Sequence, residues 1–565
     1  MQLDNKIESV LRLVKKPSRY IGGEYGANNS STHFCMVYPD VYEIGQSNQA
    51  VRILCNRSGG QRAFLPDPDT IDIFKENNIP MFSLETHTPL RDFDAIGITM
   101  SHELLATNLI ETLDFAQIPI FAKDRTDNDP IVFGGGPVCC NPEPYAAFFD
   151  CITIGEGEKA TIDALDLVTT DKSREQILEE LSHMPSIYVP KFKNKVKRAV
   201  YNDFSTSSAY ENCIVPFASI AHDRLNVEVL RGCARGCRFC QAGFMYRPVR
   251  ERNRENIVKS VREGLNITGY DEVSLTSLST TDHSQITEIL DDLDNDRGIR
   301  ISIPSQRLDA FGIDVAKKVA GKKKGGLTFA PEAGTQRLRD VINKNVTEED
   351  LFNAVRHAKE NGWRRCKLYF MIGLPTETDE DLIGIADMCR SVKSMGMNIN
   401  VSVAVFVPKA NTPFMWDGAI TPDEALRRIN IIRDNMKGIS LNWHDPKTSF
   451  IEAVLSRGGR ECSDLIYKAW KNGTKFDAWN EYFDFEAWIR ASQDIDINEI
   501  AVKTYEPGTD MPWSHIDMGV DTSYFVSERE KADKEITTED CTFGKCSNCG
   551  ICKNLECKSE IAASR

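Results

Sequence analysis

NVEVLRGCARGCRFCQAGF, residues 226–244, decides how the chain is read. It opens on an alternating apolar run that reads as a strand. It then runs through Arg231 and Gly232 into cysteines at 233, 237 and 240. Three thiolates in C-x3-C-x2-C can bind three irons of a four-iron cluster and leave one iron with no protein ligand. Such an open position binds a substrate, whereas a closed site only staples a fold, and a structural zinc loop would want a fourth ligand nearby. Gly232 and Gly236 let the loop bend tightly, and Arg231, Arg235 and Arg238 are expected to offset the cluster's negative charge.

Outward from this stretch the pattern alternates. Helix-like ENIVKSVREGL follows the cysteines, and then strand-like EVSLTSLS, RISIPSQR, GLTFAPE, RCKLYFMIG and NINVSVAVFVP, with helical segments between them. The helix TPDEALRRINIIRDNM closes the series, with Thr421 as N-cap and Pro422 at the first helical position. These are six β/α units, enough for a partial barrel and short of the eight of a closed one. Such barrels place chemistry at the carboxyl ends of strands, where the cysteines fall.

The N-terminal third alternates as well. THFCMVYPD, FDAIGITM, PIVFGGGP and CITIGEGE read as short buried strands and imply a doubly wound parallel sheet. Ligands of such sheets sit beyond the carboxyl strand ends, where the Gly-rich turns lie. The expected organisation is α/β. It comprises an N-terminal doubly wound domain (1–168), a connector (169–224), a (β/α)6 barrel (225–440), a helical extension (441–535) and a Cys-rich tail (536–565). The aromatic stripe KAWKNGTKFDAWNEYFDFEAWI of the extension is expected to be core.

Composition narrows the function classes. Of 565 residues 41% are hydrophobic and 27% charged, ordinary for a globular chain, and no apolar run reaches the ~20 residues that span a bilayer. The first twenty residues lack the apolar centre of a secretory signal, so a cytoplasmic protein is expected. A net charge of −15 argues against general nucleic-acid binding. The basic runs from Lys191 and Lys317 read as solvated faces, although a structured RNA is not excluded. Of seventeen cysteines, eight fall in two clusters, and clustered cytosolic cysteines point to metal. The second cluster, CTFGKCSNCGICKNLEC, offers Cys541, Cys546, Cys549, Cys552 and Cys557. Four of these five suit either an auxiliary iron–sulfur cluster or a zinc knuckle.

The cysteine motif, its seat after the first barrel strand and the six units resemble the radical SAM superfamily. That resemblance implies S-adenosylmethionine chelated on the open iron, reductive release of a 5′-deoxyadenosyl radical and an external reductant such as flavodoxin or ferredoxin. Carried onto this chain, it implies that Phe239 covers the cluster and adenine. Ser277, Ser279 or Thr280 would receive the amino group and Arg307 the carboxylate. Glu332 would accept the ribose hydroxyls, and Gly373, near Pro375, would form the adenosyl contact. PDVYEIG, ITMSHE and FGGGP follow the order of a cobalamin-binding domain, with Asp40, Gly45, Gly134 and Gly135 matching. Tyr42 stands at the histidine position and Thr99 at the serine position. The resemblance therefore implies a corrin without a lower histidine ligand, or no corrin.

SRYIGGEYG, SLETHTPLRDFD, YRPVRERNREN and PWSHIDMGV, with the terminal cysteines, resemble a cobalamin-domain radical SAM family without an assigned substrate. The expected activity is methylation of an unactivated carbon. The alternatives are a radical rearrangement or oxidation without methyl transfer, and a non-catalytic iron–sulfur protein. Methylthio transfer to tRNA is disfavoured, because that family has a different N-terminal domain.

Overall fold

In the computed structural model the apolar segments of the first 160 residues lie side by side as β1 (Phe34–Tyr38), β2 (Gln61–Phe64), β3 (Ala95–Thr99), β4 (Ile131–Gly135) and β5 (Cys151–Thr153). The structure describes residues 2–27, 31, 33–208, 213–294, 298–304, 327–542 and 544–562. The sheet order is β2-β1-β3-β4-β5-β6, and its first five strands are parallel. Every residue of β1, β2 and β3 is buried, as a sheet covered on both faces requires. The helix Gln49–Ser58 after β1 is set by Asn48, whose side chain accepts from Ala50 N at 2.9 Å, and it stops at Gly59 in the left-handed region. The segment expected as a connector completes this sheet. A helix, Arg174–Ser182, leads into β6 (Ile187–Tyr188), which pairs antiparallel with β5. Beyond it, β7 (Val196–Lys197) pairs with β17 (Ile516–Asp517) near the other end of the chain.

The barrel begins with β8 (Leu225–Glu228). A two-stranded ribbon of β9 (Leu230–Arg231) and β10 (Arg250–Glu251) closes the base of the cysteine loop. β11 (Glu272–Thr276) and β12 (Arg300–Ser302) join β8 in one parallel sheet. β13 (Leu327–Glu332), β14 (Arg365–Ile372), β15 (Asn398–Val405) and β16 (Ser440–Trp443) form another. The six expected strands are present. A seventh, β16, extends the series where only helix was expected, because the four largely exposed residues SLNW carry no apolar pattern. Arg307 and the basic run from Lys317 lie outside the described residues.

The C-terminal helices Pro446–Arg457, Glu461–Lys471 and Phe485–Ala491 share one core with the N-terminal sheet. Of the expected aromatic stripe, Phe476 and Trp488 are buried in this core and Trp470, Trp479, Phe483 and Phe485 pack against it, whereas Tyr482 is exposed. The seam is also polar. Asp477 accepts from Thr107 at 2.6 Å, and Asp40, past the end of β1, accepts from Val41 N at 2.7 Å and Trp479 Nε1 at 3.1 Å.

Burial raises both seam carboxyls, Asp40 and Asp477, to about 6 against their hydrogen bonds. A raised carboxylate pKa means that the folded chain holds the proton more tightly. Stability is therefore lost as pH rises from about 4 to about 6, and the penalty is complete at pH 7. Asp40→Asn keeps an acceptor for Val41 and Trp479 without the buried charge. It is expected to raise stability by about 2 kcal/mol at pH 7.5 and by almost nothing at pH 4. Urea midpoints at the two pH values test this, and an equal change at both would refute it.

Candidate active site

The cysteine loop is shaped by backbone that only glycine adopts easily. Gly232 (φ +86°) lies where a Cβ would stand 2.5 and 2.6 Å from the carbonyls of Pro248 and Tyr246, and Gly236 has φ +74°. Cys240 N donates to Cys237 O at 3.0 Å, closing a turn between the last two thiols. Burial, then the neighbouring thiol of Cys237, pushes Cys233 up to about 11 and Cys240 up to about 12. The three sulfurs thus act on one another. Among the described residues, however, no three Cys, His, Asp or Glu side chains group as around a single ion. Three soft thiol donors on one loop suit iron or zinc, and a bound metal would displace their protons.

The arginines beside the cysteines do not serve as free counter-charges, contrary to expectation. Arg231 pairs with Glu158 (2.6 Å), Glu228 (2.7 Å) and Glu156 (3.2 Å). Arg235 pairs with Asp282 and Asp540, and Arg238 with Glu528. Buried guanidinium groups need partners, and carboxylates distant in sequence supply them. A fourth, Arg247, holds the loop instead, donating to the carbonyls of Cys233 (3.3 Å), Ala234 (3.3 Å) and Gly243 (3.1 Å).

Several residues expected around S-adenosylmethionine gather at the carboxyl strand ends. Phe239 and Met371 pack against a cluster that includes Ala333 and Leu338. Glu332 ends β13 with φ +68°, a strained conformation for a non-glycine residue, and pairs with Lys344 at 3.0 Å. Lys344, whose charge also acts on Cys240, was not singled out by the sequence reading. Gly373 follows β14 directly with φ +81° and donates its N–H to Glu377 at 3.1 Å. After β11, Ser277 and Thr280 share a hydrogen bond of 3.0 Å, and Ser279 donates to Asp282 at 2.7 Å. Asp282 pairs with Arg235, so this turn is fastened to the cysteine loop.

A cavity of about 460 Å³ runs between the N-terminal sheet and the barrel. Its walls include Met36, Gly97 and Phe133 on the sheet, Leu54 on the following helix, and Ser277 and Arg231 on the barrel side. Thr99, Gly134 and Gly135 line it, whereas Asp40, Tyr42 and Gly45 are not among its lining residues. Tyr42 is buried, donates to Glu24 and meets Phe64 edge-on at 5.2 Å. No histidine is among the described residues of the lining. At Gly135 a Cβ would meet only Thr153 O, at 4.0 Å.

This loop, seated at the mouth of a parallel β/α series, coincides with a family pattern. Residues 227–389 match the model for the radical SAM superfamily, and residues 42–190 match that for the N-terminal region of radical SAM proteins. The chain belongs to the radical SAM superfamily. It is a radical SAM enzyme, and that fold takes a 4Fe–4S cluster and S-adenosylmethionine.

An uncharacterized protein of Methanocaldococcus jannaschii is 30% identical over 447 residues, 76% of this chain and 90% of that one. An uncharacterized methyltransferase of Pyrococcus horikoshii is 26% identical over 315 residues, 52% of this chain and 62% of that one. Among solved structures, the radical S-adenosylmethionine methyltransferase TsrM of Kitasatospora setae, with cobalamin and a 4Fe–4S cluster bound, is 14% identical. Its TM-score is 0.48, over 66% of this chain and 74% of that one. No described helix of this radical SAM enzyme is long and apolar enough to cross a membrane.

Proposed function

We propose that this radical SAM enzyme methylates an unactivated carbon and that the cavity between its sheet and barrel receives a cobalamin. The observation that carries the reading is that cavity. Its volume is in the range of small-molecule and cofactor sites, it opens between a doubly wound sheet and the cysteine loop, and glycines 134 and 135 form part of its wall. When bound, the cluster of the cysteine loop supplies the electron that splits S-adenosylmethionine, and a corrin would supply a methyl group.

The chain's own residues bind and orient. Cys233, Cys237 and Cys240 are the proposed iron ligands, and Phe239 with Met371 offers an apolar bed for adenine. Ser277, Ser279 and Thr280 are proposed to receive the amino group and Glu332 the ribose hydroxyls, with Gly373 at the adenosyl moiety. Lys344, close to both Glu332 and Cys240, is a cationic candidate for the carboxylate. Arg307, proposed from sequence for that same role, lies outside the described residues. Thr99, Gly134 and Gly135 are proposed to face the corrin. With no histidine among the described lining residues, no imidazole of the cavity wall stands ready as a lower ligand.

Cobalamin bound to the anaerobically purified enzyme is expected to give a Co(II) resonance without nitrogen splitting from a protein imidazole. Gly135→Phe, whose Cβ meets only Thr153 O at an ordinary 4.0 Å and which adds bulk to the cavity wall, should weaken cobalamin binding at least about tenfold and leave iron content unchanged. A nitrogen triplet, or undiminished binding in the variant, would contradict this placement. Release of 5′-deoxyadenosine without any cobalamin binding would favour rearrangement or oxidation.

A further inference from the structure

Three parts of the chain bring charged side chains together beyond the carboxyl ends of both sheets. Glu103 follows β3, two residues after Ser101 of the cavity wall. Lys409 follows β15, and Glu452 stands on the helix Pro446–Arg457. Lys409 Nζ donates to Glu103 at 2.7 Å and to Glu452 at 2.6 Å. The second oxygen of each carboxylate accepts no hydrogen bond among the described residues.

The cluster adjoins the groups already assigned to the chemistry. Gln241, next to Cys240, donates to Cys140 Sγ at 3.0 Å and to Ala410 O at 3.2 Å. Asn411 donates to Cys140 O at 3.3 Å, and Cys140 lines the cavity. Burial, and then the charge of Glu103, pushes the Cys140 thiol up to about 12. Cys140 and Gln241 thus link the cluster to the cavity on one side and to the cysteine loop on the other.

The charges do not balance. Two carboxylates face one ammonium. Burial would raise the carboxyl of Glu452, but Lys409, then His102 and His444, hold it below the ordinary value. Burial lowers the pKa of His102, so its imidazole is neutral at pH 7, and His444 is exposed. Asp445 and Lys447, at the start of the same helix, are engaged elsewhere. Asp445 accepts from Lys447 N at 2.8 Å, and the Lys447 ammonium lies 5.0 Å over the Phe485 ring. Tyr145, 1% exposed, adds a hydroxyl that makes no hydrogen bond, and Glu103 is the charge that acts on it most. An uncompensated negative charge and an unused hydroxyl in a buried setting cost free energy that a bound cation would recover. An anion would meet two carboxylates.

We propose that this cluster is the substrate site and that it receives a protonated amine of the molecule to be methylated. The ammonium lies against the second oxygens of Glu103 and Glu452, opposite Lys409, so that positive and negative groups alternate. Glu452, 28% exposed, and His444 form the open side, and Glu103 with Tyr145 forms the floor. The inference rests on the methyl-transfer reading and adds the chemical class of the substrate.

The probes are hexylamine and hexanoate, equal in length and opposite in charge, titrated calorimetrically into the full-length enzyme reconstituted with iron. Wild type is expected to bind hexylamine, and hexanoate at least about tenfold more weakly. Glu452→Gln, which keeps the shape and loses the charge, should weaken hexylamine at least about tenfold, with circular dichroism and iron content as in wild type. Reduction of the cluster should broaden the proton resonances of bound hexylamine in wild type, which places the amine beside the cysteine loop. That readout and the hexanoate comparison need no variant. Hexanoate bound as tightly as hexylamine, hexylamine binding unaltered in Glu452→Gln, or resonances indifferent to reduction would each overturn the proposal. An enzyme that binds hexylamine but no cobalamin would instead count against methyl transfer and leave the amine site standing.

Discussion

Replacing Cys233, Cys237 and Cys240 together by alanine is expected to lower dithionite-driven 5′-deoxyadenosine formation at least about a hundredfold, to background. The size of the effect follows from the geometry. The three thiols of this short loop are the proposed iron ligands, and Cys233 and Cys240 are pushed up to about 11 and about 12 by burial and by Cys237. Only bound metal makes them thiolates at neutral pH, and no other described cysteine lies on that loop to take their place. The variant should retain its fold, because Arg247 grips carbonyls and not sulfurs. Circular dichroism and iron content measured on the same sample separate the loss of a cluster from the loss of a fold. Cleavage at more than a few per cent of wild type would show that the reducing cluster is elsewhere.

What could be read from the sequence had local causes. The buried strands of both sheets show as short apolar runs. The cysteine loop shows as a spacing, and Gly232 and Gly236 mark backbone in the left-handed region. What could not be read depends on partners far away in the chain. Arg231 looks like a counter-charge for the cluster until Glu156 and Glu158, more than seventy residues earlier, are found bonded to it. Tyr42 stands at a motif position, yet its hydroxyl donates to Glu24, eighteen residues earlier in the chain. β16 carries no periodicity because it is a short, exposed edge strand. The docking of the tail on the cysteine loop rests on contacts such as Arg235 with Asp540, some three hundred positions apart, which no local pattern encodes.

Glu156→Ala is expected to cost about 3–5 kcal/mol and to loosen the cysteine loop from the N-terminal domain. Glu156 follows β5 in the GEGE turn and accepts from both terminal nitrogens of Arg250, from Arg231 at 3.2 Å and from Tyr201 N at 2.8 Å. Arg250 is 2% exposed, and Glu156 is its only carboxylate among the described ion pairs, so alanine leaves a buried guanidinium with carbonyl partners alone. Arg231 keeps Glu158 and Glu228 and is affected less. Because Arg231 and Arg250 face each other across the ribbon at the base of the loop, the disturbance should reach Gly232 and reduce iron occupancy as well.

Burial would raise the carboxyl of Glu156, but Arg250 and then Arg231 override it and hold the pKa below the ordinary value. Its stabilisation is therefore complete above the ordinary carboxylate pKa of about 4.3 and is lost as pH falls through and below it. The gap between wild type and Glu156→Ala should accordingly be full at pH 7 and narrow in acid. Glu156→Gln, which keeps acceptor and donor groups but not the charge, should fall between the two. Urea denaturation with iron analysis at pH 7 and at about pH 3 checks wild type and both variants. A Glu156→Ala loss below about 1 kcal/mol at pH 7 would mean that the two domains are held together without this ion pair.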